Sequence, residues 1–159
     1  MTDTPTGVTR GGPPGPFPAA EVGVRQCVPL LGILSMDASL RFYVDGLGFT
    51  RANQWAPEGR IRWCWLEHGD AALMLQEYLP AHRPSPSAGK LGLGVSINFT
   101  CRDALAFYRA VRERGIAGQR PFVGNGMWVT SVDDPDGYSL HFESPTDAPE
   151  ESEYQDPVP

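Results

Sequence analysis

The sequence of 159 residues lacks the features that mark membrane-spanning and nucleic-acid-binding proteins. No apolar run approaches the roughly 18 residues that a membrane-spanning helix needs. The formal net charge is −6, and lysine and arginine form no cluster that would neutralise a phosphate backbone. Neither a membrane nor a nucleic acid is therefore an expected partner.

Signals for export and disulfide chemistry are also missing. Residues 1–20 have neither an apolar core nor an arginine-rich amphipathic pattern, so a cytoplasmic location is expected. Cys27, Cys64 and Cys101 are far apart, without a CxxC pair, and each neighbours apolar residues. We predict free thiols that pack like small hydrophobic side chains in a reducing compartment.

The two ends of the chain differ in composition from its middle. Proline and glycine dominate residues 1–25, which predicts a disordered tail, and residues 147–159 form an acidic, proline-rich tail. We expect the second tail to wrap loosely or stay mobile, although Tyr154 could pin it to the body. Residues 26–146 remain for one domain, which is long enough to bury a core.

This domain contains an internal repeat. A Phe-Tyr pair at residues 42–43 recurs at residues 107–108, an offset of 107 − 42 = 65 residues. The same offset carries Trp63 onto Trp128, and an offset of 67 carries residues 72–76 onto a second apolar strand candidate. Matching strands, helix and hairpin under nearly one offset indicates a duplicated structural unit.

Each unit is predicted to run strand, helix and then three strands, in modules at about 26–80 and 91–146. The predicted fold class is α+β, with two tandem βαβββ modules forming a curled mixed sheet around a concave pocket. The first module has predicted strands at 27–34, 49–55, 61–67 and 71–78 and a helix at 37–46, and the second has strands at 92–100, 119–123, 127–133 and 138–143 and a helix at 102–114.

Two segments resemble a known superfamily. CVPLLGILSMDASLRFYVDGLGF (27–49) resembles the opening module of the vicinal oxygen chelate superfamily, and VTSVDDPDGYSLHFESP (129–145) resembles its closing hairpin. That superfamily includes glyoxalase I, extradiol dioxygenases, fosfomycin-modifying enzymes and bleomycin resistance proteins. The resemblance covers about residues 26–146 and implies the fold, whereas the reaction has to be argued from the site.

The resemblance implies where a metal would bind: to a His early in the first strand of a module and to a Glu or similar residue in the last. The first strand here offers Gln26, Cys27 and Val28, and the last strands offer Met74 and His141. A catalytic divalent metal usually needs three ligands from His, Asp and Glu, so no metal or other cofactor is expected. The resemblance then favours the metal-free bleomycin resistance branch, whose dimers sequester a flat, cationic drug by aromatic stacking and negative charge.

Strand alternation supplies the candidate ligand contacts. Trp63 and Trp65 share a strand face and are either core residues or a stacking platform. Trp55 resembles a loop residue and is a candidate lid. His141 and Glu143 share a face, either as ordinary strand residues or facing the pocket. The candidate ligand-binding residues are Trp55, Trp63, Trp65, Met74, Gln76, Phe122, Asn125, Trp128, His141 and Glu143.

The polar residues near these candidates are expected to face solvent without a role in binding. Glu77 is on the strand face opposite to Gln76 and is expected to face water. Arg60 and Arg62 alternate with apolar residues, as on an exposed strand face. The loop at 122–126 contains two glycines and is either a hairpin turn or a flexible rim over the pocket.

Two functions follow from these residues. The first is a homodimeric protein that binds a small organic ligand, cationic or aromatic, such as an antibiotic or a metabolite. The alternative is a metal-dependent lyase, isomerase or dioxygenase, in which His141 and Glu143, with Gln26 or Cys27, hold an ion in an unusual register. Metal content and ligand binding discriminate between them.

Overall fold

The computed structural model describes residues 23, 25–85 and 89–156. In this range the chain forms two modules, each with a four-stranded mixed sheet and one helical segment. The predicted α+β fold of two tandem βαβββ modules is confirmed, with the strands divided between two sheets. Most of the tail predicted at residues 1–25 lies outside the described residues.

The first module contains four strands and one helical segment. Its sheet has the order β1-β4-β3-β2, in which β1 runs parallel to β4 and the other neighbours are antiparallel. The helix is followed directly by a π-helical turn that ends where the chain enters β2. The elements are β1 (Leu30–Ile33), α1 (Met36–Leu40), the π-helical turn (Arg41–Gly46), β2 (Thr50–Trp55), β3 (Trp63–His68) and β4 (Ala71–Glu77).

The second module repeats this arrangement. Its sheet has the order β5-β8-β7-β6, with β5 parallel to β8 and the other neighbours antiparallel. The segment between the two sheets, here called the linker (residues 78–95), contains a short 3₁₀ turn at Pro80–His82. The elements are β5 (Ser96–Thr100), α2 (Ala104–Glu113), β6 (Phe122–Gly124), β7 (Met127–Asp133) and β8 (Ser139–Pro145).

Side-chain caps fix where the two helices begin. The Ser35 hydroxyl accepts a hydrogen bond from the Ala38 amide, so the first helix begins at Met36, one residue before the predicted start at 37. In the second module the Asp103 carboxylate accepts hydrogen bonds from two amides of the first turn of α2. Each cap satisfies backbone donors that have no partner inside the helix.

The face of each sheet that carries the helix, here called the inner face, forms the core. Leu73 and Leu75 of β4 and Leu140 and Phe142 of β8 are buried on this side. The Phe142 ring stacks on Phe107 of α2 with 3.8 Å between ring centroids. The opposite side, called the outer face, carries the alternate residues of the same strands, which range from exposed, as at Asn98, to buried, as at Ser131.

The modules pack against each other through residues of the inner side. The ring of Phe49 contacts Phe99 of β5, with centroids 5.8 Å apart. The buried Tyr43 hydroxyl donates a 2.9 Å hydrogen bond to Asp134 in the turn between β7 and β8. The outer faces take no part in these contacts, which leaves their side chains available to a ligand or a partner.

Residues 147–156, here called the C-terminal strap, lie along the edge strand β6. The Val123 amide donates to the Ser152 carbonyl at 2.8 Å, and the Glu151 amide donates to the Val123 carbonyl at 2.9 Å. The Tyr154 ring packs edge-on against Tyr108 and Trp128. The strap is therefore hydrogen-bonded to the sheet, rather than wrapped loosely, and Tyr154 contacts the body as the sequence suggested.

Across the described part of the chain, no helix combines the length and the apolar character that a membrane crossing requires.

Candidate functional site

Five of the candidate ligand-binding residues share the outer face of the first sheet. Trp65 of β3 lies opposite Met74 of β4, and Trp63 lies between Gln76 of β4 and Trp55 of β2. Directly opposed residues of antiparallel strands project to the same side. These five residues form the tryptophan face.

The tryptophan face is partly open to solvent. The Trp63 and Trp65 side chains are half buried, whereas Trp55, the last residue of β2, is 57% exposed. Trp65 Nε1 donates a 2.8 Å hydrogen bond to the Glu67 carboxylate, which holds the ring in one orientation. A partly exposed indole ring held in one orientation is suited to stacking on a planar ligand.

A second candidate surface, which is polar, lies on the outer face of the other sheet. His141 lies between Ser131 of β7 and Asn98 of β5, and Glu143 lies opposite Val129. These five residues form the His141 face. Phe122, which lies opposite Val129, projects to the same side and borders it. The sequence prediction that His141 and Glu143 share a face agrees with this register.

Trp128 and Asn125 lie away from the His141 face. Trp128 is opposite Ser144, on the inner side of the sheet, and its ring contacts Tyr154 of the C-terminal strap. The residue that corresponds to Trp63 is therefore Val129, because Val129 faces Glu143 as Trp63 faces Gln76. The predicted match of Trp63 with Trp128 is off by one residue, and a shift of one residue reverses the face of a strand.

Asn125 occupies the hairpin turn between β6 and β7. Asn125 and Gly126 both have positive φ, at 54° and 71°, as in the tight turns that join twisted strands. Their amides donate to the two oxygens of the Glu150 carboxylate, at 3.0 and 2.6 Å. The loop at 122–126 is thus a hairpin turn held by the strap.

Glu77 and the two arginines before β3 form a network that the sequence did not predict. Glu77 is only 3% exposed, and its carboxylate accepts hydrogen bonds from the Arg60 and Arg62 guanidinium groups and from the Met36 amide. The expectation that Glu77 faces water is wrong, because its strand side faces the core. Arg60 and Arg62 belong to the connection between β2 and β3, where they compensate this buried charge.

This network sets the protonation state of Glu77. Burial by itself raises the pKa of a carboxyl group, but the Met36 amide and the Arg60 and Arg62 guanidinium groups lower it by more. The net pKa of Glu77 is therefore below its ordinary value. Glu77 is a carboxylate at neutral pH and anchors the end of the tryptophan face.

Two clefts adjoin the outer faces. The larger, with a volume of about 610 Å³, lies at one end of the tryptophan face and is lined by Trp55, Gln76, Leu79 and the arginines of the Glu77 network. The second, of about 380 Å³, adjoins His141 and is bordered by the linker residues Leu93 and Val95. Leu93 is 82% exposed. The first cleft is built by module 1 and the second by module 2 and the linker.

Cys64 and Cys101 do not supply a nucleophile. Burial raises the pKa of the Cys64 thiol to about 11, and it also raises the pKa of Cys101. Both thiols are therefore protonated at neutral pH, and a protonated thiol is a poor nucleophile. Cys27 is exposed and precedes β1, so its predicted burial in a strand is wrong.

The side chains on the two outer faces do not fit a catalytic divalent metal. In residues 23, 25–85 and 89–156 no three His, Cys, Asp or Glu side chains cluster closely enough to hold an ion. The His141 face offers one imidazole and one carboxylate, whereas Met74 and Gln76 offer a thioether and an amide. Such ions prefer three or more ligands from His, Asp and Glu, and neither outer face provides that set.

Sequence reasoning missed the residues that complete these surfaces. Ser131 and Asn98 border His141 only through the strand register, and the strand pattern alone did not give that register. Leu93 and Val95 were assigned to the start of a strand, but β5 begins at Ser96. The glycines on either side of Leu93 were the available signal that this segment is a turn and not part of a strand.

Paired βαβββ modules, each with a four-stranded mixed sheet, define the fold class of this chain. A family model described as Glyoxalase/Bleomycin resistance protein/Dioxygenase superfamily matches residues 30–142, which is most of the chain. The chain therefore belongs to that superfamily, and the resemblance noted in the sequence is confirmed. A search of curated protein sequences gave no significant match.

Solved structures share the fold. A bleomycin resistance determinant encoded on the transposon Tn5 is 24% identical, with a TM-score of 0.60 over 79% of this chain and 100% of its own. A bleomycin-binding protein complexed with bleomycin is 25% identical, with a TM-score of 0.56 over 76% of this chain and 98% of its own. TnmS3, an antibiotic-binding protein from Streptomyces sp. CB03234, is 21% identical, with a TM-score of 0.56 over 77% and 98%.

Proposed function

We propose that this protein binds a small planar organic molecule, such as an antibiotic or a metabolite, without a metal and without transforming it. The observation that carries the proposal is the tryptophan face, where three indole rings and Met74 lie on a half-open sheet surface. Stacking on such rings favours flat aromatic ligands, and cation–π contact favours positive charge by about 1 kcal/mol per contact.

The His141 face supplies the complementary polar groups. Glu143 and His141 lie two residues apart on one strand, so a carboxylate and an imidazole project to the same side. A carboxylate on a half-buried surface attracts a cationic ligand, in keeping with the net charge of −6. Within the described residues His141 makes no hydrogen bond to a hydroxyl or thiol that it could activate, which favours binding over catalysis.

A second copy of the chain would complete the pocket. The outer faces of one chain are the sides that its own modules do not use to pack together, so a ligand on either face alone stays open to solvent. In a two-fold dimer the tryptophan face of one copy can oppose the His141 face of the other, which creates two equivalent pockets. We therefore propose that the protein forms a homodimer.

Related proteins support the choice of ligand class. One structural neighbour is described as a bleomycin-binding protein complexed with bleomycin and another as an antibiotic-binding protein. Bleomycin is a natural first probe, because the proposed site combines aromatic stacking with a carboxylate. Other planar cationic drugs follow as probes of the same chemistry.

Titration of tryptophan fluorescence with metal-free bleomycin tests the proposal. We expect saturable quenching in the wild type, and we expect Trp65→Leu to raise Kd about tenfold, the usual consequence of removing a central aromatic contact. Trp128→Phe is the matched control, since Trp128 lies on the inner side and its replacement should leave Kd unchanged.

Two results would overturn the proposal. One is a flat titration with bleomycin and a panel of planar cationic drugs up to high micromolar concentration. The other is a stoichiometric metal ion in protein purified without added metal, lost in His141→Ala, which would favour a metal-dependent lyase, isomerase or dioxygenase.

A further inference from the structure

The cleft beside Trp55 has a polarity that depends on one side-chain amide. Its apolar wall consists of the exposed Trp55 ring, Pro57 and Leu79, and Gln76 projects into it from β4. An amide side chain can present either a donor or an acceptor, and the two orientations would select different ligands. The neighbouring backbone decides which of the two faces the cleft.

Gln76 Nε2 donates a 3.2 Å hydrogen bond to the Arg62 carbonyl. A carbonyl oxygen only accepts, so the amide nitrogen has to face Arg62 and the amide oxygen has to point away from it. Within the described residues, Gln76 Oε1 has no hydrogen-bond partner. The cleft therefore contains an unused acceptor in a fixed direction.

The Arg62 carbonyl is itself held in place. Its oxygen also accepts a 2.9 Å hydrogen bond from the Glu77 amide, and the Arg62 amide donates to the Trp55 carbonyl at 2.9 Å. The guanidinium group of the same residue is bound by the buried Glu77 carboxylate. Backbone and side chain together keep this carbonyl from rotating, and so they keep the Gln76 amide in one orientation.

Charge does not dominate this cleft. Glu77 neutralises part of the charge of Arg60 and Arg62, and the exposed Glu58 carboxylate lines the rim. With two cationic and two anionic side chains, the cleft has no formal net charge. Glu58 and Gly59 have φ of 53° and 78°, the left-handed region that a glutamate seldom adopts and that is common near functional sites.

We propose that the cleft beside Trp55 selects an aromatic ligand that donates a hydrogen bond from a ring or exocyclic N–H, with Trp55 stacking on the ring and Gln76 Oε1 accepting that hydrogen bond. This inference rests on the proposed small-molecule-binding function and specifies its ligand class. Gln76 is the specificity-determining residue. The Arg62 carbonyl orients its amide so that the oxygen is free to accept from a ligand.

Indole and benzothiophene test the inference, because they have nearly the same bicyclic shape and only indole has an N–H donor. Their Kd values are measured on the full chain from chemical shifts of the Gln76 amide and the Trp55 indole in ¹H–¹⁵N spectra. We expect the wild type to prefer indole about three- to tenfold, the range that one net hydrogen bond provides.

Two variants separate stacking from polarity. Gln76→Leu should bring the indole-to-benzothiophene preference close to one, whereas Trp55→Ala should weaken both probes and preserve their ratio. Gln54→Leu is the matched control, because Gln54 lies opposite Cys64, off the tryptophan face, and its replacement should change neither value.

The outcomes distinguish this inference from the proposed function. Equal binding of the two probes, or a preference that survives Gln76→Leu, overturns the selectivity and leaves small-molecule binding intact. Absence of binding of both probes at millimolar concentration overturns the assignment of the cleft, and a flat bleomycin titration then also removes the proposed function.

Discussion

At the scale of single residues, Glu77 is a buried charged residue that connects segments distant in the sequence. Its buried carboxylate joins three separate parts of the first module, namely the start of α1, the connection before β3 and the end of β4. A buried carboxylate that loses its partners is strongly destabilising, so the three parts depend on one another. The arrangement also holds the end of the tryptophan face rigid.

Replacement of Glu77 by Gln should produce a pH-dependent loss of stability. The pKa of Glu77 is lower in the folded chain than the ordinary value of 4.5, so its carboxylate stabilises the fold above that pH. This contribution is lost as the pH falls through the folded pKa. At pH 7 we expect Glu77→Gln to reduce the free energy of unfolding by about 1–3 kcal/mol, measured by urea denaturation.

The control for this experiment is Glu113→Gln, an exposed position near the end of α2. Surface substitutions of this kind change stability by less than about 0.5 kcal/mol. The difference between wild type and Glu77→Gln should shrink at acidic pH, below about 4.5. A difference that stays constant down to pH 3 would contradict the assignment of a depressed pKa.

At the scale of secondary-structure elements, the C-terminal strap completes the second sheet. β6 is three residues long, and without the strap its outer edge would expose backbone donors and acceptors. Unpaired sheet edges promote association with other chains, and proteins commonly cover them. The strap covers this edge and places Tyr154 between Tyr108 and Trp128.

Weakening the strap should open β6 locally while the core stays folded. We expect Tyr154→Ala to speed hydrogen exchange of the Val123 amide, which donates to Ser152 in the strap, and to increase acrylamide quenching of Trp128. Amides of the core strand β8 should be unaffected, because none of their partners belongs to the strap.

Asp147→Ala provides the matched control, because Asp147 is exposed and lies at the start of the strap, away from β6. Its replacement should leave both readouts at wild-type values. Unchanged exchange at Val123 in Tyr154→Ala would show that the tyrosine does not hold the strap against the sheet.

At the scale of the whole molecule, the arrangement of the modules determines what one chain can do alone. The inner faces are buried where the two modules pack together, as in the contacts of Phe49 with Phe99 and of Tyr43 with Asp134. The tryptophan face and the His141 face stay separate, each beside its own cleft. The proposed dimer would bring a stacking surface and a charged surface together around one ligand.

Mixed dimers test that arrangement. We expect Trp65→Leu and Glu143→Gln each to weaken bleomycin binding strongly as homodimers. A mixed dimer, co-expressed with two affinity tags, combines the intact tryptophan face of one copy with the intact His141 face of the other. About half of its pockets should then regain wild-type affinity, measured by calorimetry.

The control is a mixed dimer in which both substitutions lie on the same copy. Its two pockets each contain one altered face, so it should show no recovery. A chain that sediments as a monomer at binding concentrations, or a mixed dimer without recovered sites, would contradict a pocket shared between copies.

Much of the candidate site followed from strand periodicity. Alternation placed Trp63 with Trp65 and His141 with Glu143, and the register agrees with both pairs. Trp128 was misplaced because an offset chosen by residue identity differs by one from the hydrogen-bonded register. The burial of Glu77 was missed because its partners lie 15 and more residues away and approach only after the sheet has formed.

The sequence by itself determined the duplicated βαβββ unit, the helix positions and the alternation of each strand, because these depend on patterns within a few residues. The tertiary structure decided which strand face meets the core, where the Glu77 carboxylate finds its arginines, and that the two outer faces lie apart. Those features arise from hydrogen bonds and packing between distant segments, whose geometry a local pattern does not contain.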